Sequence, residues 1–164
     1  MGREGRGALL LANPHNPTGT VLSRAELTAI AAVAREHDLI ALTDEVYERL
    51  VFDDAEHVPL ATLPGMADRT ITVSSAAKTF NATGWKTGWA CGPAPLIAAV
   101  KTAKQFLTFV GGAPFQPAVA HALDHEDAWV AALRKSYRGK RDRLAGALTD
   151  IGFDVRDSFG TYFL

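Results

Sequence analysis

Two short apolar runs bracket a capped amphipathic helix, and this arrangement limits what the chain can fold into more than any other feature. The run ALLLA (8–12) is apolar at every position, the pattern of a strand covered on both faces. It stops at NPHNPTG (13–19), whose two prolines and glycine continue neither strand nor helix. Ser23 and Glu26 stand at capping-box spacing. The segment RAELTAIAAVAREHD (24–38) then carries Leu27, Ile30, Ala31 and Ala34 at helical spacing. LIALTD (39–44) reads as the next strand. Strand, crossover helix and strand make a right-handed parallel βαβ unit. The expectation is an α/β fold, a three-layer, mostly parallel sheet with flanking helices.

Further along, RTITVSS (69–75) is β-branched and strand-like, and GWKTGWACG (84–92) reads as a strand broken by glycines. Helices are expected over 94–107, from about Ala118, and over 127–149; the last is rich in Arg and Lys and reads as a solvated helix face. The tail GFDVRDSFGTYFL is expected to form two short strands and to leave an apolar edge at its end. The division expected is a partial large domain over 1–125, then a linker helix and the start of a small α+β domain over 126–164.

Composition narrows the function classes. The 164 residues suffice for one domain with a core, and a net charge of −1 gives no electrostatic case for nucleic acid or an anionic membrane. The single cysteine, Cys91, excludes an intrachain disulfide and is expected as a small buried residue. The apolar run near the start is too short for a signal-peptide core or a membrane span, so a cytoplasmic protein is expected. The five histidines show no metal-ligand spacing and read as loop or helix-surface residues, so no metal is expected.

Polar groups fall where strands end: Asn16 after the first, Asp44 at the end of the second, Lys78 just past the third. Open α/β sheets bind ligands outside the carboxyl ends of their strands. A lysine desolvated in such a crevice becomes a nucleophilic amine, the group that Schiff-base chemistry requires. A pyridoxal phosphate site needs such a lysine and an acid facing the pyridinium nitrogen.

NPHNPTG (13–19), TDEVYERLVFD (43–53) and SSAAKTFNATGWKTGWACGP (74–93), in that order, resemble the three central motifs of the fold-type I, class I/II aminotransferases, in the branch of aspartate and kynurenine aminotransferases. The resemblance implies pyridoxal 5'-phosphate as cofactor, amino acid and 2-oxo acid as substrates, and a homodimer in the full-length enzyme. It implies that Lys78 carries the cofactor and moves the Cα proton, and that Asp44 pairs with the pyridinium N–H. Tyr47 and Asn16 would bond the cofactor's phenolic oxygen, and Ser75 and Lys86 its phosphate. Many relatives have arginine where Lys86 stands; lysine binds phosphate as a point charge rather than a fork. Family members are more than twice as long, so the chain is expected to be the central piece of a longer enzyme, inactive alone, without the arginine that pairs with the substrate carboxylate. The alternatives are a carbon–sulfur β-lyase of the same fold, which often has histidine where Tyr47 stands, and a non-catalytic remnant.

Overall fold

A computed structural model describes residues 7–164. Four strands lie in the order β1 (Ala8–Ala12), β2 (Ile40–Asp44), β3 (Thr70–Ser75) and β4 (Gly88–Cys91). The first two pairings are parallel and β3–β4 is antiparallel. The helix α1 (Arg24–Glu36) crosses from β1 to β2. Its start is fixed by the expected capping box: the Ser23 hydroxyl accepts from Glu26 N–H, and the Glu26 carboxylate accepts from Ser23 N–H at 2.8 Å.

The core lies against one face of this sheet. Leu27, Ala31 and Ala34 of α1 pack with Ala41 of β2 and with Val58, Leu60, Leu63 and Met66 of the following loop. Leu9 and Leu11 point to this cluster. Strand alternation sends Leu10 the other way, where it is 74% exposed. The sequence suggested a strand covered on both faces; among the described residues β1 is covered on one.

After β3 come one turn of helix, α2 (Ala76–Thr79), and then β4. The helices α3 (Ala94–Leu107), α4 (Gln116–His125) and α5 (Asp127–Asp150) follow. The tail departs from expectation. In place of two strands it makes a single bridge, Val51 to Gly160, flanked by Phe52 N–H to Phe159 O at 2.8 Å and Thr161 N–H to Leu50 O at 2.9 Å. It also crosses the loop after β1, where Gly19 O accepts from the N–H groups of Phe159 and Gly160 at 3.0 and 2.9 Å. Gly19 is left-handed at φ +66°, and a Cβ there would lie 1.9 Å from Ser158 Oγ, so only glycine fits under the tail. Cys91 is exposed rather than buried, because β4 is an edge strand.

Candidate active site

The parallel register sets the geometry of the site. Ala12 pairs with Asp44 and Asp44 with Val73, so three strand ends lie side by side. Below them an open groove of about 430 Å³ runs along Leu10, Leu11, Ala12, His15, Leu42 and Asp44. Asp44 is exposed at its rim, and its Oδ1 accepts from Val46 N–H at 3.2 Å. Asn16 sits in a turn closed by Gly19 N–H to His15 O at 2.9 Å, and it is exposed.

Lys78 lies half-buried on α2. Its Nζ is 5.7 Å from the centre of the Tyr47 ring and 5.0 Å from that of Tyr162. The amine donates to Tyr162 Oη at 2.5 Å. Tyr47 is 2% exposed, and its hydroxyl has no hydrogen-bond partner among the described residues. Burial pushes the Tyr47 phenol up, and the neighbouring Tyr162 and Asp44 add to the effect. The Tyr162 phenol behaves differently. Burial opposes its ionisation, but the Lys78 amine outweighs burial and holds it below the ordinary tyrosine value.

Ser75 is the N-cap of α2, its hydroxyl accepting from Ala77 N–H at 3.3 Å. It pairs with Gly88, and Ala76 N–H bonds Thr87 O at 3.1 Å, which brings the Lys86 segment alongside. Lys86 itself is exposed and left-handed at φ 52°. The structure thus joins Lys78 to Tyr47, sets Asp44 near Tyr47, and lays Ser75 beside the Lys86 strand. Asn16 is joined to none of these by a hydrogen bond among the described residues.

A model of the family described as "Aminotransferase class I and II" matches residues 2–164. The chain belongs to the class I and II aminotransferases. Within this family it is 69% identical over 157 residues to the probable N-succinyldiaminopimelate aminotransferase DapC of Mycobacterium tuberculosis, covering 96% of this chain and 40% of the relative. It is 45% identical over 160 residues to the kynurenine–oxoglutarate transaminase of Dictyostelium discoideum, covering 95% of this chain and 37% of that one. Among solved structures, the N-succinyldiaminopimelate aminotransferase of M. tuberculosis superposes with a TM-score of 0.95 over 96% of this chain and 41% of the other. The aromatic aminotransferase of Pyrococcus horikoshii gives 0.89 at 38% identity, covering 94% of this chain and 42% of the other. The chain therefore spans about two fifths of the length of these aminotransferases.

Two features escaped the sequence reading. Tyr162 was taken as part of an apolar edge, yet it holds the Lys78 amine. His57 lies in a loop, as the sequence suggests, yet its side chain is 8% exposed and its Nε2 lies 2.9 Å from Glu45 Oε2. Glu45, Glu48 and His57 bring ligand-type atoms within 4.8 Å of one another. Those atoms already have partners, Glu45 with Thr43 and His57, and Glu48 with Ser74. The cluster is an internal hydrogen-bond network of this aminotransferase chain. The alternation of TDEVYE places Glu45 on the Thr43 face of β2, the one signal that could have revealed it.

Proposed function

We propose that the protein performs pyridoxal 5'-phosphate-dependent transamination, moving an amino group from an amino acid to a 2-oxo acid, and that the described residues hold much of the cofactor site. The observation that carries this reading is the half-buried Lys78 amine over the ring of Tyr47, whose buried hydroxyl has no partner among the described residues, beside the strand end that bears Asp44. A buried hydroxyl without a partner is costly, and a cofactor's phenolic oxygen would satisfy it, so the residues fit the group.

When bound, the cofactor supplies a ring that delocalises negative charge from the substrate Cα. Lys78 holds it through its amine and carries the proton at Cα. Asp44 keeps a proton on the ring nitrogen. Tyr47, its phenol held neutral by burial, donates to the phenolic oxygen with Asn16. Ser75 and Lys86 hold the phosphate.

The relative at 69% identity makes an N-succinylated diamino dicarboxylic acid the first amino donor to test. A cytoplasmic homodimer, with a large-domain part over 1–125 and a small-domain part from 126, belongs to the same reading. Among the described residues no helix is long and apolar enough to cross a membrane.

The test is borohydride reduction of the full-length protein with the cofactor, followed by peptide mapping. The pyridoxyl group is expected on Lys78; recovery mainly on Lys101, Lys104 or Lys140 would sink the reading.

A further inference from the structure

We propose that Tyr162, delivered by the C-terminal segment, is the proton-accepting and positioning partner of the Lys78 amine. This deepens the proposed function and rests on Lys78 being the cofactor-bearing amine. Three observations carry it. The Tyr162 hydroxyl accepts directly from Lys78 Nζ at 2.5 Å. The amine also lies 5.0 Å from the Tyr162 ring centre, so the same side chain fixes both its distance and its direction. Tyr162 is itself pinned: its ring packs edge-on against Tyr47 at 5.4 Å, and the adjacent Thr161 N–H bonds Leu50 O at 2.9 Å.

An amine must shed a proton before its lone pair can attack a carbonyl carbon. At this contact one Nζ–H bond breaks, one phenol O–H bond forms, and the ammonium and phenolate charges cancel; nothing is oxidised or reduced. The two phenols have divided roles. Tyr47 is pushed up and stays protonated as a donor, while Tyr162 is held below the ordinary tyrosine value. Neighbouring groups driven apart in this way are how an acid and a base are assigned in one site. The groups facing Tyr162 are Lys78 from α2, Tyr47 just beyond β2, and Tyr137, Lys140 and Arg141 from α5. Because the contact closes a gap of 84 residues, the amine is held only when the tail is docked.

The experiment uses the full-length protein as wild type, Tyr162→Phe and Lys78→Met. Tyr162→Phe keeps the ring, so unchanged thermal melting shows that packing survives. In the cofactor-free protein, phenolate absorbance is titrated with alkali, and comparison of wild type with the two variants isolates the phenol that ionises early. Lys78→Met is expected to move that ionisation up, and Tyr162→Phe to remove it. The rate at which borohydride traps the cofactor on Lys78 is then measured over a neutral-to-alkaline series. Wild type is expected to accelerate as Tyr162 ionises. Tyr162→Phe should be slower by about tenfold near neutrality, the order expected for losing one hydrogen bond to a charged group, and should lack that inflection. A labelled Lys78 whose profile is indifferent to Tyr162→Phe, or a phenol titration indifferent to Lys78→Met, overturns this inference alone. A wild-type Lys78 that takes no label overturns the proposed function and this role with it.

Discussion

The two faces of the sheet are built by different rules. On the face under α1 the buried acid is paired: Thr43 Oγ1 donates to Glu45 Oε1 at 2.8 Å, and Glu45 meets His57. Leu27, Ala31 and Ala34 are fully buried there. On the opposite face Leu10 is 74% exposed, Val73 is 36% exposed, and Asp44 stands at the rim of an open groove. The same strands serve both, since successive side chains point to opposite sides. Among the described residues one face holds the core, and the other bears the groove beside Asp44.

Substitutions on each face can break this contrast. The largest effect is expected from Asp44→Ala in the full-length protein, which should retain its melting temperature but lose about 10²–10⁴ in kcat, the usual range for groups that place a proton or a charge. Near-wild-type turnover, or a large loss of stability, would end the division of labour between faces. Leu27→Ala on the covered face is expected to do the reverse. It should cost about 2–5 kcal/mol in chemical denaturation, as buried leucine truncations do, while the remaining folded protein keeps its cofactor-trapping rate on Lys78.

The smallest expected effect belongs to neither face but to the tie that holds the tail down. Arg141 bonds Asp53 Oδ2 and Ser158 O, both at 2.7 Å. That bond holds the Asp53 carboxyl below its ordinary value, with burial working against it. A carboxyl lowered on folding stabilises above its unfolded-state value, and this contribution is lost as pH falls through the folded-state value. Asp53→Asn should therefore lower stability at neutral pH by about 1 kcal/mol or less, because Asp53 is 38% exposed and the pair is screened. The difference from wild type should vanish below the carboxylate range. A gap that persists in acid would show that Asp53 supports the tail through something other than its charge on Arg141.

Local patterning made the covered half of the molecule legible. The helix at 94–107 matches α3 residue for residue, following directly after Pro93, and the Ser23–Glu26 box sets the start of α1. The placement of Lys78, Asp44 and Tyr47 was also legible, because each lies within a few residues of a strand end that the sequence marks. Tyr162 was not. Nothing near TYFL encodes which lysine it will meet, since that follows from the tail pairing with Leu50 and Phe52 and passing over Gly19. Cys91 was misjudged because an edge strand and an inner strand look alike in four residues. The open face of β1 was missed for a related reason: an apolar run is the same whether or not anything covers its far side.

The tail's docking has a consequence for how the chain can vary in length. The stretch from Lys86 to Tyr162 starts beside Ser75 and returns to the Lys78 amine, so both of its ends are anchored at one place. Most of α3, α4 and α5 between them is surface; α3 buries no residue, and α5 buries Val130 alone among its described residues. Closing a flexible excursion costs entropy that grows only with the logarithm of its length, about 0.6 kcal/mol for each doubling. Lengthening the connections between these helices therefore costs little closure entropy, whereas one added residue between Arg141 and Tyr162 would shift the phenol off the amine it holds.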